Sequence, residues 1–245
     1  MLKQIVNGAL APLGLKVVRI PRPLTVDDVL PQLIRAPEPV LFDVGANHGQ
    51  TAKRLRETFP RGRIWCFEPQ PHLAAEIDAI GDPLVTVEAA AVSDRPGTAT
   101  LHLNSFDQAA SLMAATVGGG YDTDVFAPTG KTTVPTVTID IYCREHGIER
   151  IDYLKIDAQG FSREVLDGAA DLLNCGGIHV VRAEVTFGDF YERSDSFAEI
   201  ETRLKGFRLH TIIDTDDEHV GQGQGGAIDK ANGALRYIDV IYVWE

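Results

Sequence analysis

Short apolar runs alternate with helix-length amphipathic intervals along most of the 245 residues. Val40 to Val44, Arg63 to Phe67 and Leu84 to Ala90 read as strands, with helices at Gln50 to Thr58 and His72 to Ile80 between them. The same rhythm resumes with a strand at Asp152 to Asp157, a helix at Ser162 to Leu173, a strand at Ile178 to Val185 and a helix at Ser196 to Lys205. Two further strands, Phe207 to Ile213 and Tyr237 to Trp244, flank the polar, glycine-rich interval Asp214 to Gly233. Strand–helix alternation predicts an α/β fold: a doubly wound, Rossmann-like seven-stranded sheet ending in a hairpin-like pair.

One stretch breaks the rhythm. Thr98 to Leu103 and Val134 to Ile139 alternate apolar and polar residues one by one, the mark of half-buried strands. Residues 98–139 therefore read as an antiparallel insertion before a helix at Asp140 to His146, with Gly118 to Lys131 as a candidate lid. Residues 1–39 read as a helical extension and proline-rich lead-in, with one helical patch at Val26 to Leu33, and residues 40–245 as one domain. Pro12 and Gly14 interrupt the moderately apolar segment Met1 to Ile20, so it is no transmembrane helix. A short amphipathic helix packed on the domain, or touching a membrane surface, fits residues 1–20.

The net charge of −12 argues against a nucleic-acid partner, because phosphate binding needs clustered Lys and Arg. Lys53, Arg54, Arg56, Arg61 and Arg63 surround one helix and its exit turn and read as a solvated face. Cys66, Cys143 and Cys175 have no metal or disulfide spacing, and with no cleavable leader evident a reducing cytoplasm is expected.

The densest chemical signal is Leu41-Phe42-Asp43-Val44-Gly45-Ala46-Asn47-His48-Gly49-Gln50, followed one helix later by Phe67-Glu68-Pro69. A strand ending in a carboxylate, a turn with two glycines, a helix and a second strand ending in Glu68 make the first β-α-β unit of a nucleoside-cofactor site. Gly45 and Gly49 let backbone approach a ligand, and Glu68 can accept hydrogen bonds from both ribose hydroxyls. A dinucleotide site wants G-x-G-x-x-G facing a pyrophosphate, which Asp43 would repel. A cofactor with a cationic amino acid end, such as S-adenosylmethionine, suits it better.

At the end of the fourth strand, Lys155-Ile156-Asp157-Ala158-Gln159-Gly160-Phe161 faces the same crevice. Asp157 can act as base on a hydroxyl, position that hydroxyl, or bind a divalent metal with a second acid, and Glu184 is the natural second acid. The bland alternative is a Lys155–Asp157 pair that only orders the strand end. A buried Glu184 needs a partner, either Lys155 or a substrate hydroxyl. No histidine is singled out by spacing, and no G-x-S-x-G elbow supports hydrolysis.

Over residues 40–243 the chain resembles the FkbM-type family of S-adenosylmethionine-dependent methyltransferases. The resemblance rests on F-D-V-G-A-N-H-G at 42–49, F-E-P at 67–69, A-V-S-D at 91–94, S-L at 111–112 and T-I-D at 138–140. Most specific is Y-L-K-I-D-A-Q-G-F at 153–161, followed by V-L-D-G-A at 165–169. Where the family often reads K-I-D-x-E-G-x-E, Gln159 and Ser162 stand in place of the two acids. The resemblance implies methyl transfer, usually to a hydroxyl oxygen of a glycan, glycolipid or secondary metabolite. It implies Asp43, Gly45, Asn47, Gly49 and Glu68 as cofactor-binding residues and Asp157 next to the reaction; Ala46, Pro69 and Ala91 of the same motifs complete the expected cofactor set, and Lys155 and Glu184 the expected catalytic one. Two rivals on the same scaffold stay open: a NAD-dependent oxidoreductase or epimerase, and a non-catalytic binding subunit.

Overall fold

The computed structural model describes residues 24–116, 127–187, 191–193, 195–213 and 237–245. The expectations for residues 1–20, for most of the lid at Gly118 to Lys131 and for the interval Asp214 to Gly233 lie outside the described residues.

The main sheet holds β1 (Val40–Val44), β2 (Arg63–Phe67), β3 (Val85–Glu88), β7 (Ile151–Ile156), β8 (Ile178–Thr186), β9 (Phe207–Ile213) and β10 (Tyr237–Trp244). Their order is β3-β2-β1-β7-β8-β10-β9, with the first five parallel and β10 antiparallel to both neighbours. The strand order reverses between β1 and β7, which opens the ligand crevice beyond their carboxyl ends.

Helix α1 (Val26–Leu33) packs with α2 (Gln50–Thr58) on one face, and Ile77 of α3 (Pro71–Asp78) joins them. The other face carries α4 (Ile139–Glu145), α5 (Ser162–Asp167), α6 (Ala170–Cys175) and α7 (Phe197–Arg203). Period-two alternation divides the strands between the two cores. Phe42, Val44, Leu154, Ile156, Val181, Ala183 and Val185 point to the α4–α7 side, and Leu41, Tyr153, Val180 and Ile241 to the α1–α2 side. By the same parity, Asp43, Lys155, Arg182, Glu184 and Asp239 crown the α1–α2 face at its crevice end.

The expected insertion is a three-stranded sheet, β4 (Ala91–Val92), β6 (Pro128–Val137) and β5 (Gly97–Asn104) in that order, with β5 antiparallel to β6 and β4 parallel to it. Its small core is Ala91, Leu101 and Val134.

The helix expected at Ser162 to Leu173 is instead two short helices. Gly168 lies so close to another segment that a Cβ there would stand 2.1 Å from the Ser93 carbonyl oxygen. The Asp140 carboxylate then accepts hydrogen bonds from the Asp171 and Leu172 N–H groups, capping α6. Three of the five basic residues around α2 are held in ion pairs, Arg54 with Asp27, Arg56 with Asp82 and Arg61 with Glu38, and Arg63 lies over the Trp65 ring.

Candidate functional site

The loop from Gly45 to Gly49 is fastened to the end of β2. The N–H groups of Gly45 and Ala46 both donate to the Phe67 carbonyl, at 3.0 and 3.1 Å. Gly45 has φ +75°, and a Cβ there would stand 1.9 Å from the Asp157 carbonyl oxygen, so the β1 and β7 exits meet where only glycine fits.

Glu68 follows β2 directly and is 3% exposed. Its two carboxylate oxygens each accept one backbone hydrogen bond, from Asn47 and from Gln70, both at 2.9 Å. Burial raises its pKa above the ordinary carboxylate value, and the Gln70 and Asn47 N–H groups partly offset that. Each oxygen keeps a lone pair, so the group is locked in orientation yet able to accept from a diol.

Asp43, fully buried, sits across from Lys155 in the β1–β7 register, with Lys155 Nζ 3.0 Å from its Oδ1. The same ammonium donates to the Gly45 carbonyl at 3.0 Å and lies 3.5 Å from Asp157 Oδ2. Lys155 thus ties the glycine loop, β1 and the β7 exit together. Burial would lower its pKa, but Asp43 and Asp157 outweigh this and raise it, so it stays protonated. Burial pushes the Asp43 carboxyl up despite Lys155, and neither of its oxygens accepts a well-aligned hydrogen bond.

Of the two partners expected for Glu184, Lys155 is engaged elsewhere, turned toward Asp43 on β1 and toward Asp157. Arg182, level with Lys155 on the next strand, pairs with Asp239 of β10 instead. Glu184 is opposite Asp239 in the β8–β10 register and has no hydrogen bond or ion pair of its own among the described residues. Burial, then the nearby Asp157 and Asp239 charges, raise its pKa well above the usual value.

Gln159 was no more than a family variant in the sequence, yet it is the junction of the site. Its backbone is left-handed, φ +51°. Its amide donates to Asp157 Oδ1 at 2.7 Å, its Oε1 accepts from the buried Tyr191 hydroxyl at 2.8 Å, and its carbonyl accepts from Ser111 of the insertion at 2.6 Å. An amide donates to Asp157 where a glutamate would repel it. At Ser162, the other replaced acid, the backbone N–H donates to the buried Asp195. Neither contact has a local sequence signal. The Arg182–Asp239 pair has one on the β10 side, where Asp239 is the lone charge inside an otherwise apolar strand.

Of the remaining expected residues, Ala46 and Gly49 lie buried within the loop, Pro69 is half-buried beside Glu68, and Ala91 packs into the small core of the insertion. Among the described residues no group of three or more His, Cys, Asp or Glu is placed to hold a metal ion, and no helix is long and apolar enough to cross a membrane.

His48 closes the loop from outside. Nδ1 lies 2.7 Å from Glu76 of α3 and Nε2 lies 3.0 Å from Asp107 in the insertion. The Glu76 hydrogen bond, outweighing desolvation and helped by Asp107, raises its pKa. A histidine whose folded pKa is raised stabilises fully below its unfolded value and loses that contribution as pH rises through the folded one. Amide exchange around Asp107 is therefore expected to quicken from pH 6 to pH 8 more in the parent than in His48→Gln. Equal pH responses would show that the bridge holds nothing.

The reversed strand order, the antiparallel β10 between β8 and β9, and the carboxylate-lined crevice define a class I methyltransferase sheet. A family model for the methyltransferase FkbM domain matches residues 43–209, and the chain belongs to that family. The 2-O-methyltransferase NoeI of Sinorhizobium fredii (strain NBRC 101917 / NGR234) is 29% identical over 194 residues, spanning 76% of this chain and 79% of its own. The methyltransferase sdnD of Sordaria araneosa is 27% identical over 156 residues, 53% of this chain and 60% of its own. The crystal structure of methyltransferase FkbM from Methylobacillus flagellatus KT superposes with a TM-score of 0.51 at 12% identity. That match covers 87% of this chain and 45% of that one, and it speaks to the fold alone.

Proposed function

We propose that this protein transfers a methyl group from S-adenosylmethionine to a hydroxyl oxygen, with a saccharide, glycolipid or secondary metabolite as acceptor. The observation that carries the donor assignment is the Glu68 carboxylate, held by two backbone N–H groups beside a loop where a Cβ at Gly45 would collide with Asp157. Glu68 would hold the ribose, and the loop from Gly45 to Gly49 would carry the amino acid end past Lys155 toward Asp157. Similarity to a 2-O-methyltransferase supports a hydroxyl acceptor.

S-adenosylmethionine supplies a methyl carbon on a positively charged sulfur, which departs as a thioether without further activation. Alignment and proton removal fall to the protein. Asp157, fixed by Lys155 and the Gln159 amide, would accept the hydroxyl proton as the new O–C bond forms and the S–C electron pair stays on sulfur. Ser111 and Tyr191, through Gln159, join the insertion and the segment after β8 to that carboxylate.

The test is calorimetric titration with S-adenosylhomocysteine and, separately, NAD, on the parent and on Glu68→Ala. Micromolar binding of S-adenosylhomocysteine that Glu68→Ala weakens by about tenfold or more supports the reading. Saturation near 100 times the dissociation constant should add roughly 2.7 kcal/mol of stability. Binding of NAD in its place overturns the reading.

A further inference from the structure

The crevice end of the α1–α2 face carries an unequal set of charges. Among the described residues, four carboxylates, Asp43, Asp157, Glu184 and Asp239, meet two cations, Lys155 and Arg182. Both cations are engaged: Lys155 lies between Asp43 and Asp157 and also donates to the Gly45 carbonyl, and Arg182 pairs with Asp239. Among the described residues Glu184 has no hydrogen bond or ion pair, although it is next to Asp157 and opposite Asp239. Glu184 is half-buried, so its carboxylate reaches the crevice with Asp157 and Asp239 beside it, a position that favours an arriving cation.

Resting on the donor reading above, we propose that Glu184, with Asp157 beside it, selects the donor by the positive charge on its sulfur and is the residue that tells S-adenosylmethionine from spent S-adenosylhomocysteine. The charge distribution carries this. A donor held at its ribose by Glu68 and running past Gly45 brings its sulfur to the β7–β8 exits, where Asp157 and Glu184 lie. Before transfer the sulfonium supplies the missing positive charge. After transfer the thioether does not, and the carboxylates again face each other uncompensated. The spent product is thereby loosened by the charge it has lost.

The probes are S-adenosylhomocysteine, neutral at sulfur, and sinefungin, whose protonated amine stands where the S-methyl group would be. Both are titrated into the full chain by calorimetry, so no acceptor is needed. The parent is expected to favour sinefungin by about tenfold or more, as a unit charge close to a half-buried carboxylate implies. Glu184→Gln keeps the shape and removes the charge, and it should bring the ratio to near one chiefly by weakening sinefungin. A melting temperature near that of the parent shows that this variant is folded, since among the described residues Glu184 makes no hydrogen bond or ion pair that glutamine would lose.

The parent alone provides a second reading. Burial, Asp157 and Asp239 raise the Glu184 pKa while Lys155 and Arg182 lower it, and Tyr191 faces the same carboxylates. The preference for sinefungin should therefore fall as pH is lowered and Glu184 takes up a proton. If both ligands bind but the ratio survives Glu184→Gln, or does not move with pH, the selection role is wrong and the donor reading stands. If neither ligand binds the parent, the donor reading fails and this proposal fails with it.

Discussion

Gly45→Ala is expected to lose S-adenosylhomocysteine binding and about 3 kcal/mol of stability. Two costs coincide at this position. An alanine at φ +75° adopts a left-handed conformation that costs about 1 kcal/mol. Its Cβ would also stand 1.9 Å from the Asp157 carbonyl oxygen, so the peptide that follows β7 must move. That peptide is tied to β1 through the Asp157 N–H, which donates to the Val44 carbonyl at 3.1 Å. Relief of the clash therefore parts the two strand ends that form the crevice. Urea unfolding and ligand titration on the same sample check both halves. A variant that unfolds at the parent's midpoint and still binds would mean that the loop yields without disturbing β7.

The second large effect is expected from Lys155→Met. Methionine fills much of the lysine stem's volume but leaves Asp43, 0% exposed, without its ion-pair partner. Breaking a buried ion pair from one side costs about 3–5 kcal/mol. The deficit should depend on pH in a defined sense. With Lys155 gone, burial and Asp157 hold the folded-state pKa of Asp43 above its unfolded value, so folding favours its protonated form. That contribution is present in acid and is lost as pH rises through the folded pKa. The gap between variant and parent is accordingly small in acid and widest toward neutrality, as urea midpoints across that range would show. Adding Asp43→Asn should recover much of the loss. A double variant no better than Lys155→Met would mean that the contact of Lys155 with the Gly45 carbonyl, rather than charge, is what matters.

Reading the chain by periodicity found the sheet because each strand carries its own signal. β1, β2, β9 and β10 begin and end at the expected residues, and the half-polar alternation of β5 and β6 set the insertion apart from the buried strands. Glu68 was legible for a local reason, since a charged residue closing an apolar strand has few other uses. The break at Gly168 was not, because its causes are the Ser93 carbonyl and the Asp140 carboxylate, 75 and 28 residues distant. The choice of Asp43 over Glu184 by Lys155 was hidden for the same reason: the two acids lie on the strands flanking β7, and only the lateral register of β7 decides between them. Gln159 shows a further limit. Its importance lies in joining Asp157, Tyr191 and Ser111, and three partners on separate segments leave no trace in spacing.

The position of β10 bears on how the molecule is made. It follows β9 in the chain but lies between β8 and β9 in the sheet, so β9 has no place to dock until residues 237–244 arrive. During synthesis β8 waits with an open edge, and Arg182 waits without Asp239. An open apolar strand edge invites pairing with other chains. A ribosome-bound chain halted after Ile213 should therefore be protease-sensitive and sticky, because β10 is the strand that joins β9 to β8 and locks the sheet shut.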